Sequence, residues 1–285
     1  MIILYLLPAL GWGFMPIIAK MTNAKPINQL LGTTTVALLI GTLFTFIVQP
    51  SYNSGRLLAA VFSGCFWSIG QYLQFYSFQL LPVSEAMPIS NGTQLIGATF
   101  IAALFFGEWS NMKMASVGTG GILLIIVGII LTSYLEKKND TTLLKPTKSK
   151  AITCLLLSSL ALTVYVTLPQ AFQTSGAEVL FPQAIGMWFL SIVLSFGKRD
   201  EISWRQVRKN FGTGIAWSIA NISLFLAIPI IGVAKSFTFS QLAVLISIYA
   251  GLVLLKVKKT KIELRMISLG AALITIGILL IGSIK

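Results

Sequence analysis

Glutamine, asparagine and tryptophan side chains recur at matched positions inside long apolar segments of this 285-residue chain. Gln71 and Gln74 lie three residues apart, so they share one helix face, and Trp67 lies one turn before Gln71. Trp217 and Asn221 repeat this arrangement 150 positions later. Amides both donate and accept hydrogen bonds, and indole faces offer an apolar stacking surface. The set therefore predicts binding of a neutral, hydroxyl-rich solute such as a sugar.

Other polar and aromatic residues extend this predicted binding site to further apolar segments. They are Trp12, Asn91, Gln94, Tyr165 and Gln241. Polar groups in hydrocarbon are costly unless they meet a partner or a cavity, which favours a role in binding. The alternative for each Gln and Asn is a hydrogen bond to a neighbouring helix without any part in binding. Trp12 has the further alternative of an aromatic residue at the membrane interface.

The composition of the polar set also excludes several kinds of chemistry. The chain has no His, so imidazole catalysis and imidazole metal sites are excluded. No Lys or Arg falls in the middle of an apolar segment, which disfavours a phosphate or carboxylate ligand. Paired carboxylates, or a nucleophile with a base, are not visible on adjacent segments. We therefore expect no enzymatic activity, no metal and no cofactor.

The elements that must position these residues are long apolar segments. Hydrophobic residues make up 55% of the chain and charged residues 10%, against about 25% charged in soluble domains. A bilayer core of roughly 30 Å needs about 20 apolar residues per helix. Ten segments qualify: 2–20, 30–49, 57–80, 84–106, 114–134, 150–168, 179–197, 211–230, 234–255 and 265–284. The prediction is an all-α integral membrane protein with ten transmembrane helices, partnered by the lipid bilayer and not by nucleic acid.

The Lys and Arg residues are distributed unevenly between the two sides of the predicted helices. Of the 21 Lys and Arg residues, 17 fall in the connections on one side of the predicted helices and four on the other. Because cytoplasmic loops are rich in Lys and Arg, the basic connections 135–150, 198–209 and 256–265 are expected in the cytoplasm. The prediction is a multi-pass protein of the cell membrane with both termini outside.

The two halves of the chain repeat one pattern. Met114–Gly118 resembles Met266–Gly270 at an offset of 152, close to the 150 that separates the two tryptophan motifs. We therefore predict two five-helix repeats, 1–135 and 151–285, joined by a cytoplasmic linker at 136–150. Because five is odd, the copies have opposite orientations, which is the inverted-repeat plan of secondary transporters with a central substrate site.

Glu85 lies near the start of the fourth predicted helix and is the candidate carboxylate for proton coupling. The alternative is an acid at a helix end that complements the positive pole of the helix dipole.

Three short motifs resemble the glucose/ribose porter family of the drug/metabolite transporter superfamily. They are Leu7–Gly13 (LPALGWG), Pro88–Gln94 (PISNGTQ) and Phe106–Trp109 (FGEW). This resemblance implies import of a monosaccharide, glucose first and ribose next, with proton symport. Alternating access is the mechanism that inverted repeats imply. An exporter of drugs or metabolites from the same superfamily is the alternative, because helix patterns do not encode direction.

Overall fold

The computed structural model describes residues 2–105, 107, 109–134, 145–174, 176–231, 236 and 239–284. These residues form helices joined by short connections. The helices are α1 (Ile2–Thr22), α2 (Pro26–Val48), α3 (Ser54–Leu80), α4 (Val83–Phe105), α5 (Met112–Thr132), α6 (Lys145–Ala171), α7 (Gly176–Phe196), a 3₁₀ turn (Arg199–Glu201), α8 (Trp204–Lys209), α9 (Phe211–Ile231), α10 (Ala243–Leu254) and α11 (Lys261–Gly282).

Several helices begin at side chains that satisfy otherwise unpaired backbone N–H groups. Asn53 accepts from the backbone of Gly55 at the start of α3. Thr260 and Glu263 form a reciprocal capping box at the start of α11. Such caps hold a helix start in place, typically by about 1 kcal/mol.

The described residues contain no strand, and seven of their helices are long and apolar enough to cross a membrane. The expectation of an all-α membrane protein is therefore confirmed. α3 and α4 are not among these seven. With 27 and 23 residues they are long enough, but their polar side chains make them less apolar than the other long helices. Apolar residues of α2 such as Leu39, Leu43 and Phe46 are more than half exposed, as a lipid-facing stripe requires.

The predicted ten segments each overlap a described helix, although the ninth, 234–255, is described only in part. The predicted linker 136–150 differs from the structure at its end. Residues 136–144 lie outside the described residues, whereas 145–150 already belong to α6. Pro146 is tolerated there because the first turn of a helix does not need its N–H groups for internal hydrogen bonds.

Helices from the first half of the chain pack mainly on helices from the second half. α3 packs on α6 and α7, α1 packs on α9 and α10, and α5 packs along α11. Gly128 lies opposite Gly270 and Gly121 opposite Gly277, so α5 and α11 run antiparallel. Small residues at these crossings let the two backbones approach closely.

The largest core cluster lies between these helices and supports the polar residues predicted to bind. It contains Trp67, Phe75, Leu162, Tyr165 and Trp217, each at least nine-tenths buried. Side chains held by such packing have little freedom to rotate, so the groups that face a central space are held in position.

Candidate binding cavity

A cavity of about 100 Å³ lies between α1, α3, α4, α6, α9 and the segment that leads into α10. Nine of the ten residues predicted to bind substrate line it. These are Trp12, Trp67, Gln71, Gln74, Asn91, Gln94, Tyr165, Trp217 and Gln241. Trp12 and Trp67 lie midway along their helices, so this space is far from both helix ends.

A chain of hydrogen bonds orients the glutamines of α3. Gln71 Nε2 donates to Gln74 Oε1 at 2.8 Å, and Gln74 Nε2 donates to Ser90 Oγ at 2.8 Å. All three residues are at least 95% buried. Each amide is thus fixed by the next, and both glutamines line the cavity.

Two tryptophans from the matched motifs meet at this cavity. The rings of Trp67 and Trp217 have centroids 5.8 Å apart and an interplanar angle of 68°, which is an edge-to-face contact. Such contacts are worth about 0.5–1.5 kcal/mol beyond area burial. The contact joins α3 to α9 beside the polar lining.

Asn221, the tenth predicted residue, does not line the cavity. Its Nδ2 donates to the backbone oxygen of Trp217 at 2.8 Å, and its Oδ1 accepts from the Tyr165 hydroxyl at 3.4 Å. Asn221 therefore lies outside the lining and contacts the cavity only through Tyr165.

The amides of α4 are placed by contacts with α6. Gln94 Nε2 donates to the backbone oxygen of Leu162 at 3.4 Å, and Thr163 donates to the backbone oxygen of Gln94 at 3.3 Å. The hydrogen bond of the Gln94 side-chain amide is long, so this amide can exchange Leu162 for a ligand hydroxyl at small cost.

Apolar residues that the sequence did not single out complete the lining. Met15, Met87, Leu162 and Val166 face the cavity. Leu162 and Val166 lie on the same helical face as Tyr165, so helical spacing could have identified them. Nothing distinguishes the two methionines from other apolar residues of α1 and α4 in sequence.

The lining residues carry no formal charge as far as the structure describes them. Glu85, the predicted coupling residue, is not among them and lies in the first turn of α4. Its Oε1 lies 2.8 Å from Lys148 Nζ of α6, and its side chain is only 4% exposed.

The cavity thus combines amide groups, a hydroxyl and aromatic faces in an uncharged pocket. A sugar offers hydroxyls to the amides and C–H faces to the rings, so it matches both kinds of surface. A charged ligand would find no countercharge among these residues, and burying it unpaired would cost several kcal/mol.

Comparisons with known proteins agree with this chemistry. The model of the family described as "Sugar transport protein" matches residues 3–284. The glucose uptake protein GlcU of Bacillus subtilis is 39% identical over 285 residues, covering 100% of this chain and 98% of its own. GlcU of Staphylococcus xylosus is 38% identical over 277 residues, covering 97% and 95% of the two chains.

A likeness to a solved structure extends to the fold. One crystal structure, described only as that of a protein, superposes with a TM-score of 0.63 at 15% identity and covers 96% of both chains. At that identity the likeness concerns the fold alone. The sequence identity to the GlcU relatives is much higher than that to the solved structure. Because the family match spans nearly the entire chain, the protein belongs to the sugar transport protein family.

Proposed function

We propose that this chain imports a monosaccharide across the cell membrane, with glucose the first candidate and ribose the second. The observation that carries the proposal is the uncharged cavity of amides and aromatic rings, because its chemistry suits a sugar. The names of the two GlcU relatives support glucose as the first candidate. In this proposal the nine lining residues bind the sugar and Asn221 acts through Tyr165.

The transport unit in this proposal is a ten-helix protein built from two inverted five-helix repeats. Gly64 of α3 is in close contact with α7, and Gly214 of α9 is in close contact with α2. The facing helices carry Gly186 near the first contact and Gly32 near the second, and these two glycines are 154 residues apart, close to the 150 between Gly64 and Gly214. Equivalent contacts at equivalent positions are expected of a duplicated fold.

The two repeats alternate access by rocking around the central cavity. The antiparallel course of α5 and α11 supports opposite orientations, because these helices hold the same place in their repeats. Trp67 and Trp217 hold equivalent places too and meet beside the cavity. A contact between equivalent residues lies close to the axis relating the repeats, where rocking displaces atoms least.

The orientation in the membrane follows the distribution of basic residues. The connections 135–150, 198–209 and 256–265 face the cytoplasm, and both chain termini face outward. Proton symport completes the proposal, with Glu85 as the coupling carboxylate. In that role Glu85 would have to exchange its ion pair with Lys148 for a proton during the cycle.

Uptake of labelled glucose and ribose by cells without other porters for these sugars tests the function. We expect the chain to raise glucose uptake above the empty-vector background, and an uncoupler to abolish accumulation. Absence of uptake for both sugars would overturn the proposed substrate class. Faster loss of a preloaded drug or metabolite would instead favour the exporter of the same superfamily.

A further inference from the structure

We propose that the segment 198–209, between α7 and α9, is a binding surface for anionic phospholipid headgroups. This segment, called here the basic platform, contains the 3₁₀ turn and α8. Its five cations outnumber its two acids; they are Lys198, Arg199, Arg205, Arg208 and Lys209 against Asp200 and Glu201. The five cations are all exposed, but Lys198 lies 3.5 Å from Glu201 and Arg199 lies over the ring of Phe196, so the proposal rests on Arg205, Arg208 and Lys209.

Hydrogen bonds fasten the basic platform to the start of α2. Asn28, which is fully buried, accepts from the backbone N–H of Ser203 at 2.9 Å and donates to the backbone oxygen of Glu201 at 2.9 Å. Gln206 Oε1 accepts from Asn28 and from the backbone of Lys25. The backbone that carries the cations is therefore held in place, which lowers the conformational entropy lost when a ligand binds.

The two sides of α8 have different surroundings. Val207 is 2% exposed and packs against Ile27 and Leu31 of α2. Arg205 and Arg208 lie three residues apart, so they share the other, exposed side. One side of α8 thus holds the segment to the protein while the other presents two guanidinium groups, which match phosphate oxygens in a two-pronged geometry.

An exposed tryptophan places these cations at the depth of the headgroups. Trp204 is 60% exposed and contacts the ring of Phe211 edge-on at 6.2 Å. The apolar span that continues as α9 begins at this residue. Tryptophan favours the boundary between hydrocarbon and water, so the adjacent arginines lie at the level of lipid phosphates.

The repeated fold does not require this surface. The equivalent connection in the first half of the chain, 49–53, contains no charged residue and no helix. Residues 256–261 are also basic but contain no tryptophan and no helix before Lys261. Among the connections that the structure describes, the combination of a held helix, an exposed tryptophan and paired arginines occurs only in the basic platform, which favours a dedicated ligand over general orientation.

Native mass spectrometry of the full-length protein in detergent, titrated with phosphatidylglycerol or phosphatidylcholine, tests this proposal. The variant Arg205→Gln/Arg208→Gln/Lys209→Gln is compared with the charge-matched control Lys256→Gln/Lys258→Gln/Lys259→Gln. We expect the first variant to weaken phosphatidylglycerol binding on the order of tenfold and the control to change it by less than about twofold. Phosphatidylcholine binding should be unchanged in both.

A conservative variant separates lipid binding from damage to the fold. Arg205→Lys/Arg208→Lys keeps the charge, so it should retain more phosphatidylglycerol binding than the glutamine variant at the same thermal stability. Equal loss in the glutamine variant and its charge-matched control would overturn the proposal. So would unchanged phosphatidylglycerol binding in the glutamine variant.

Discussion

At the scale of single residues, some polar groups line the cavity and others hold the lining groups in place. The Gln74 amide is hydrogen-bonded at both ends, to Gln71 and to Ser90, and Gln71 lines the cavity beside it. The Asn221 amide is likewise hydrogen-bonded at both ends, to the Tyr165 hydroxyl and to the backbone of its own helix. Residues that look alike in sequence thus have different tasks.

The hydrogen bond between Tyr165 and Asn221 gives a test of this division. Asn221→Ala and Tyr165→Phe each remove the same bond, worth about 0.5–1.5 kcal/mol, so each should lower glucose uptake by roughly two- to tenfold. The double variant should lose less uptake than the product of the two single losses, because the interaction that the two residues share is lost only once. Multiplied losses, measured at equal protein levels in the membrane, would show that Asn221 acts separately.

Glu85 gives a second test at this scale. Glu85→Gln removes the titratable group and its negative charge beside Lys148. If Glu85 couples sugar to protons, the variant should keep exchange of labelled for unlabelled glucose but lose uncoupler-sensitive accumulation. Full accumulation by Glu85→Gln would assign the carboxylate to the helix end instead.

The candidate residues could be predicted because polar groups inside hydrocarbon are rare and costly. That rule identifies Gln71 and Asn221 equally, and the repeat pairs them. It does not reveal that Asn221 is used by Tyr165, because that contact depends on how α6 packs against α9. It is also silent on Met15 and Met87, since an apolar residue in an apolar helix carries no signal.

At the scale of elements, the positions of the helices could be predicted from the lengths of the apolar segments, but the packing of the helices could not. The helix α6 begins five residues before the predicted segment 150–168. Residues 145–149 are polar, so apolar length misses them, but none of them stops a helix at this position. The partners of each helix depend on which small residues meet. α3 and α7 meet where Gly64 faces Gln183 and Gly186 faces Val61.

The contact between α3 and α7 should tolerate no added methyl group. A Cβ at Gly64 would overlap the backbone oxygen of Gln183, so Gly64→Ala should lower stability by about 1–3 kcal/mol, measured as thermal unfolding in detergent. Gly120→Ala is the matched control, because a Cβ there meets no atom within 4 Å. The control should be neutral or slightly more stable. Equal behaviour of the two variants would contradict close packing at Gly64.

At the scale of the whole molecule, the proposed inverted repeat and the distribution of charge are consistent with one topology. The basic connections lie on one side of the proposed helices, and an odd number of helices in each copy gives the two copies opposite orientations. The cavity lining carries none of the basic excess where the structure describes that lining.

Orientation can be measured with single cysteines in a chain whose Cys65 and Cys154 are replaced by Ser. Ser51→Cys lies in the exposed connection before α3, and Lys258→Cys lies in the basic connection before α11. A membrane-impermeant maleimide added to intact cells should label only Ser51→Cys, and permeabilised cells should label both. Labelling of Lys258→Cys in intact cells would reverse the proposed topology.

The central claim is that the cavity beside Trp67 and Trp217 is where the sugar binds. The most direct measurement is counterflow of labelled glucose into proteoliposomes preloaded with unlabelled glucose. Gln71→Ala removes an amide that lines the cavity, whereas Gln79→Ala removes an exposed amide from the same helix. We predict that Gln71→Ala lowers counterflow on the order of tenfold or more, while Gln79→Ala retains the wild-type rate. Equal rates in the wild type and both variants would contradict the claim.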